Sequence, residues 1–191
     1  MTTDVSRARS PFPYDLLPPA PAFTLASDDI TEGGRLDDQF TAVHDNISPE
    51  LHWSGAPEGT RSFVVSCFDP DAPGPSGWWH WTVVDLPASA AGLPRGAGES
   101  DDGLAAPAFH VRNDAGTRAW FGPYPPAGDG DHRYVFAVHA LDVDTLGLDG
   151  SASAAAVACQ VSFHALGRAL LTATYSVPGD RAPFITEEPH A

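Results

Sequence analysis

The chain has 191 residues and a mass of 20.1 kDa, which fits one domain, and its 42% apolar residues are enough for a packed core. It carries 25 acidic residues against 10 basic ones, every one of them arginine, for a formal charge of −15. This charge argues against a general nucleic-acid surface, which needs clustered Lys and Arg, and against docking on anionic membranes.

The sequence also predicts where the protein works. Its apolar runs fall short of the roughly 18 residues that a membrane span needs, and the N-terminus lacks the basic start and apolar stretch of a secretory signal. We therefore expect a cytoplasmic protein. Cys67 and Cys159 lie in apolar contexts without metal-binding spacing, which predicts two buried, reduced thiols.

The chain begins with a segment that proline keeps irregular. Residues 1–20 contain Pro11, Pro13, Pro18 and Pro19. They predict an extended N-terminal arm without a regular element. We expect residues 21–180 to form a single domain and residues 181–191 a flexible tail.

Strand patterns dominate the following residues. Alternation predicts short strands at 23–27 and 40–43, and apolar runs that end at proline predict central strands at 61–68 and 78–86. Residues 87–107 predict a long surface loop. The clearest alternation, at 132–143, predicts another strand.

Helical spacing appears late in the chain. Ser151 can cap a helix in which Ala154, Val157, Val161 and Ala165 share one face as far as Arg168. Residues 170–177 return to a strand pattern. Because no βαβ alternation appears, the sequence predicts a mostly β, mostly antiparallel fold with one main C-terminal helix.

Polar residues stand at the ends of the predicted strands, and no nucleophile elbow, phosphate loop or His-Glu-x-x-His motif accompanies them. Period-2 geometry places the following pairs on shared faces: Asp69 with Asp71, Trp78 with His80, and His132 with Tyr134. Converging strand ends would make these residues line one pocket. Each also has a plainer interpretation, as a turn aspartate, a half-buried histidine or a core aromatic.

In combination, three segments resemble the phosphatidylethanolamine-binding protein family. They are Asp-Pro-Asp-Ala-Pro at 69–73, Trp-Trp-His at 78–80, and the Gly-Pro-Tyr-Pro-Pro stretch that runs through His132 to Tyr134. Residues 48–53 and 164–175 look like the family's bacterial branch, the Raf-kinase-inhibitor-like proteins. The resemblance covers residues 23–177.

The resemblance implies a central antiparallel sheet packed against a smaller sheet, with an anion pocket at the end of the central sheet. Asp69, His80 and His132 correspond to the polar residues of that pocket. The rim and walls correspond to Ala72, Pro73, Trp78, Gly122, Pro126 and Tyr134. Tyr124 stands where many relatives have a small residue, so it narrows the mouth or adds a hydroxyl. The resemblance also implies a cis peptide bond between Ala72 and Pro73.

The implied function is a small-anion binding module for phosphate or a phosphorylated or zwitterionic head group, with modulation of a kinase or other partner as an associated role. We expect no cofactor, no extraction of whole phospholipids and a homodimer like those of bacterial relatives. Three alternatives stay open. The protein is a protease inhibitor that acts through its arm or residues 87–107, or a hydrolase or lyase that uses His80 and His132 as acid and base. Alternatively, Asp69 and the two histidines hold a metal.

Overall fold

Eight β-strands and one α-helix form the regular structure of residues 8–179, the part of the chain that the computed structural model describes. The strands are β1 (Thr24–Ala26), β2 (Leu51–Ser54), β3 (Ser62–Asp69), β4 (Trp78–Pro87), β5 (Gly92–Leu93), β6 (Phe109–His110), β7 (His132–Leu141) and β8 (Ala165–Tyr175). The helix α1 spans Ala154–His164. Short 3-10 turns lie at Pro13–Leu16, Asp38–Phe40 and Asp101–Gly103.

Two antiparallel sheets organise these strands. The larger sheet has the order β6-β4-β3-β7-β8, and the smaller sheet has the order β1-β2-β5. β3, β4 and β7 occupy the centre of the larger sheet because their residues are apolar on both faces, and every residue of β7 except Arg133 is buried. β8 alternates between buried and half-buried residues, as an edge strand does.

The main core lies between the two sheets. Tyr134 and Phe136 of β7 belong to the same buried cluster as Leu51 and Trp53 of the smaller sheet. A second cluster covers part of the opposite face of the larger sheet, where α1 contributes Val157. These findings confirm the predicted fold class, a mostly β protein with a central sheet packed on a smaller one and a C-terminal helix.

One predicted strand is wrong. The strands predicted at 23–27, 61–68, 78–86 and 132–143 are confirmed, with shifted ends. Phe40 instead ends a 3-10 turn, residues 41–43 follow it, and the backbone groups of this segment bond to a neighbouring loop. The Phe40 carbonyl accepts from Trp120 Nε1 at 3.0 Å, and Ala42 N donates to the Pro123 carbonyl at 3.2 Å.

The helix in the structure is shorter than the helix that the apolar spacing predicts. Ser153, not Ser151, is its N-cap, and Ala165 already belongs to β8. Cys159 on this helix is exposed, so the prediction of buried thiols holds for Cys67 alone.

The N-terminal arm departs from its prediction in one respect, since the 3-10 turn at Pro13–Leu16 is a regular element. Residues 1–7 of the arm and the predicted tail lie outside the described residues. The implied cis bond between Ala72 and Pro73 is also wrong, because the cis peptide bond found within residues 8–179 joins Ala106 and Pro107. A hydrogen bond of 2.7 Å from Asp71 N to Asp69 Oδ1 holds the turn that follows β3.

Candidate functional site

Three strands of the larger sheet bring polar side chains to the same end of it. Asp69 is the last residue of β3, Trp78 is the first residue of β4 and pairs with it, and His132 is the first residue of β7. Because neighbouring strands are antiparallel, the end of β3 lies beside the starts of β4 and β7. The three strand ends therefore converge, as the site hypothesis required.

A pocket of about 570 Å³ opens at this point. A volume of this size is typical of small-molecule sites. All but two of the predicted site residues line it: Asp69, Ala72, Pro73, Trp78, His80, Tyr124, Pro126, His132 and Tyr134. The walls are mainly apolar, so the few polar atoms determine what the pocket can bind.

His132 lies between two carboxylates. Its Nδ1 is 2.7 Å from Asp69 Oδ2, and its Nε2 is 2.9 Å from Asp129 Oδ2. Burial disfavours the charged ring, but the hydrogen bonds and charges of Asp69 and Asp129 outweigh this effect, so the pKa of His132 is raised above its ordinary value. Both ring nitrogens donate when the ring is charged, and the ring is fixed in orientation.

His80 has the opposite character. Its Nδ1 lies 2.5 Å from the carbonyl oxygen of Phe121, which only accepts, so Nδ1 is the protonated nitrogen and Nε2 is left for other partners. Burial lowers the pKa of His80, and the charge of His132 adds to this effect. His80 is therefore neutral at physiological pH, with a ring that packs edge-on against Tyr134 at 5.0 Å between centroids.

Two buried hydrogen-bond donors of the pocket have no partner. They are the hydroxyl of Tyr134 and the indole Nε1 of Trp78. Burial raises the pKa of Tyr134 well above its ordinary value, and the charge of Asp69 acts in the same direction, so the phenol keeps its proton. An unpaired buried donor destabilises a fold, and such a donor in a pocket indicates a ligand with acceptor atoms.

Asp71 and Gly122, both predicted for the site, lie outside the pocket lining. Asp71 pairs with Arg133 Nε at 2.7 Å, and Arg133 points to the face of β7 opposite that of His132. Gly122 has a structural role. A Cβ at this position would lie 2.1 Å from the Phe40 carbonyl oxygen, so only glycine permits the close approach of the two loops.

The pocket also contains residues that the sequence analysis missed. They are Ala115, Phe121, Pro125, Ala127 and Val177. Most of them supply apolar wall area, and Phe121 also contributes its backbone carbonyl to His80. A backbone contact of this kind has no residue signature, so only proximity to the Gly122 motif could have suggested Phe121.

The structure offers one further group of potential metal ligands. Among the described residues, ligand atoms of Asp28, Glu50 and His52 lie within 4.8 Å of one another, but these residues do not line the pocket. Exposed acidic groups of this kind are common without an ion. In the pocket itself, the ring nitrogens of His132 and one of His80 already have protein partners. We therefore assign no metal to either place.

Within residues 8–179, no helix is long and apolar enough to cross a membrane. A relative from Mycobacterium tuberculosis, LppC, is 34% identical over 165 residues, covering 84% of this chain and 77% of LppC, and its name includes the word lipoprotein. The cytoplasmic location stays a prediction.

Comparison with known proteins identifies the family. Residues 26–176 match the sequence profile of the phosphatidylethanolamine-binding proteins. The UPF0098 protein YbhB of Escherichia coli is 45% identical over 157 residues, covering 80% of this chain and 99% of YbhB. The crystal structure of E. coli YbcL, described as a new member of the mammalian PEBP family, gives a TM-score of 0.79 at 40% identity, covering 81% of this chain and 98% of YbcL. The phosphatidylethanolamine-binding protein of Plasmodium vivax, 15% identical, shares the fold with a TM-score of 0.56 over 87% of this chain and 90% of that one. The chain belongs to the phosphatidylethanolamine-binding protein family.

Proposed function

We propose that this protein is a binding module that holds the phosphate group of a small phosphorylated molecule. The observation that carries the proposal is the pair of unpartnered buried donors, Tyr134 Oη and Trp78 Nε1, in a pocket that His80 also lines. Phosphate oxygens are strong acceptors, which is the chemistry that such donors need. A proton taken up at His80 Nε2 would add a third, charge-assisted bond.

The charges around His132 favour a zwitterionic ligand over a bare dianion. Asp69 and Asp129 set two carboxylates against the one imidazole ring of His132, whose protonation they favour. The excess negative charge attracts an ammonium group, while the donors of Trp78, His80 and Tyr134 take the phosphate. We therefore propose phosphoethanolamine-like head groups as the ligand class, with an affinity in the roughly millimolar to high-micromolar range because such ligands make few contacts.

Calorimetric titration with phosphoethanolamine and with sulfate tests the site. We expect Tyr134→Phe to weaken binding of both ligands about fivefold, since one neutral hydrogen bond is lost. The same change should leave the thermal unfolding temperature equal or higher, because it removes a buried hydroxyl without a partner.

Tyr175→Phe is the matched control. The Tyr175 hydroxyl donates to Asp38 Oδ1 at 3.0 Å and does not line the pocket. This variant should bind both ligands as the wild type does, while its unfolding temperature falls. Equal affinity in Tyr134→Phe and the wild type would refute the phosphate site.

We propose protein partners and self-association on the family resemblance alone. The N-terminal arm and residues 87–107 are the segments that would contact a kinase or a protease, and a homodimer is the expected assembly. Sedimentation velocity over a range of concentrations tests the dimer directly, and a single monomeric species at all concentrations would refute it.

A further inference from the structure

A second cavity lies on the opposite face of the larger sheet. It measures about 370 Å³ and is bounded by the part of the N-terminal arm at residues 13–20, by α1, and by the outer faces of the central strands. Val64 and Phe68 of β3 and Val157 and Val161 of α1 contribute its apolar surface. The cavity shares no lining residue with the proposed phosphate pocket, so the residues that line it need a separate explanation.

His139 is a buried histidine among the polar residues that line this cavity. Its residue is 7% exposed, and its Nδ1 has no hydrogen-bond partner. Burial lowers the pKa of His139 to about 3, with a further contribution from the charge of Arg168, so the ring is neutral. The ring of Tyr14 from the arm covers it at 5.8 Å between centroids.

Arg168 places a cation at the same cavity. Its guanidinium lies over the Tyr14 ring at 4.6 Å, and it makes no ion pair within the described residues. Five other arginines have carboxylate partners, namely Arg35, Arg61, Arg95, Arg118 and Arg133, whereas the exposed Arg112 has none within the described residues. A half-buried arginine beside an apolar cavity is a suitable partner for a carboxylate whose remaining atoms are apolar.

We propose that this second cavity binds a small apolar monocarboxylate, such as a medium-chain fatty acid, with the carboxylate on Arg168 and the hydrocarbon chain between α1 and the arm. The few polar atoms of the cavity match a ligand with a single charged end. The two elements that bound the cavity also expose large apolar side chains, since Leu17 of the arm is 46% exposed and Phe163 of α1 is 74% exposed. This inference does not depend on the proposed phosphate site.

Calorimetry with octanoate tests the proposal, with octan-1-ol as an uncharged analogue of the same chain length. We expect octanoate to bind saturably and about tenfold more tightly than hexanoate, because each buried methylene improves affinity about fourfold at most. Arg168→Gln should weaken octanoate binding at least about fivefold and leave binding of octan-1-ol unchanged. Arg112→Gln removes the same charge outside the cavity and should have no effect.

A second pair of variants tests the location without removing a charge. Ala158 is an exposed residue of α1 that lines the cavity, so Ala158→Phe should fill the cavity and abolish octanoate binding. Ala155→Phe places the same ring at an exposed position of α1 outside the cavity and should bind octanoate normally. Circular dichroism of both variants checks that the fold is intact.

His80→Ala separates this cavity from the phosphate pocket. We expect it to retain wild-type affinity for octanoate, and saturating sulfate should not compete. The proposal is overturned if octan-1-ol binds as tightly as octanoate, if Ala158→Phe binds octanoate as Ala155→Phe does, or if His80→Ala abolishes binding. It is equally overturned if octanoate does not bind and this face instead joins two copies of the chain in sedimentation experiments.

Discussion

At the scale of single residues, Asp129 is the side chain that most directly opposes an anionic ligand. Its carboxylate accepts from His132 Nε2 at 2.9 Å and is 3% exposed. The glycines on either side, Gly128 and Gly130, have positive φ values of 83° and 85°, and they shape the turn that delivers it. The Asp129 carboxylate therefore already accepts from His132 Nε2, a nitrogen that a phosphate or sulfate oxygen would otherwise approach.

Asp129→Asn should consequently strengthen sulfate binding. The change removes one negative charge from the contact with His132, and we expect affinity to rise about fivefold at low salt, with a smaller gain at high salt. Titration calorimetry at two salt concentrations measures the effect. Asp131→Asn is the control, since Asp131 is exposed and its loss changes the net charge equally. A gain in Asp131→Asn as large as that in Asp129→Asn would show that net charge alone is responsible.

The pH dependence of sulfate binding is assigned to His80. Burial lowers the pKa of His80 in the free protein, whereas a bound anion favours the protonated ring, so binding takes up a proton. Affinity should fall as pH rises, by about tenfold between about pH 5.5 and 8. His132 does not contribute in the lower part of this range because its pKa is raised, and sulfate itself does not titrate there.

Calorimetry in buffers of different ionisation enthalpy measures the proton uptake. His80→Asn should bind sulfate weakly and without pH dependence in the lower part of this range, where His132 stays protonated. Constant sulfate affinity of the wild type from pH 5.5 to 8 would show that Tyr134 and Trp78 bind the anion without His80.

Alternation and strand ends were sufficient to place the polar residues together, whereas the rim residues Ala72, Pro73 and Pro126 followed only from the family resemblance. Asp71 lies outside the pocket lining for a geometric reason. The period of two holds only within a strand, and β3 ends at Asp69, so the turn directs Asp71 to Arg133 on the other face. The role of Phe121 was not predictable, since it binds His80 through a carbonyl that every residue has.

At the scale of elements, the structure and the sequence-based prediction disagree about the residue that caps the start of α1. Ser153 Oγ accepts from Ala156 N at 3.1 Å, whereas Ser151 Oγ donates to Asp149 in the preceding turn. Ser153→Ala should lower the free energy of unfolding by about 1 kcal/mol, or about 2–4 °C in unfolding temperature. Ser151→Ala should cost less than half as much because the Ser151 hydroxyl donates to an Asp149 carboxylate and accepts from no N–H of the helix. Thermal unfolding that shows the reverse order would place the cap at Ser151.

The end of α1 shows why apolar spacing alone misplaced the helix boundary. Ala165 and Arg168 fit the three- and four-residue spacing of the helix, but they also begin an alternating pattern. In the structure, β8 pairs with β7 along its whole length, from Ala165 opposite Leu141 to Tyr175 opposite His132. These backbone hydrogen bonds and the buried alternate side chains of β8 outweigh one further helical turn. A local sequence pattern does not reveal pairing with a strand that is distant along the chain.

At the scale of the whole molecule, the larger sheet separates two cavities of different chemistry. The pocket at its end is lined by two histidines, a phenol and an indole, and the cavity under α1 has one arginine and mainly apolar walls. The chain that encloses both cavities carries a formal charge of −15. A field of this sign slows the approach of anions from solution, so affinity for anions at either place depends on local donors rather than on long-range attraction.

The same whole-molecule properties predict that the protein does not associate with phospholipid vesicles. The pocket of about 570 Å³ has room for a head group, and the negative surface repels anionic bilayers. We expect no cosedimentation with phosphatidylethanolamine or phosphatidylserine vesicles at physiological salt, while soluble phosphoethanolamine binds. High salt screens the repulsion, so continued absence of binding at about 0.5 M salt would assign the effect to pocket size rather than to charge. Cosedimentation that His80→Ala abolishes would contradict this prediction and make the pocket a docking site for intact lipid.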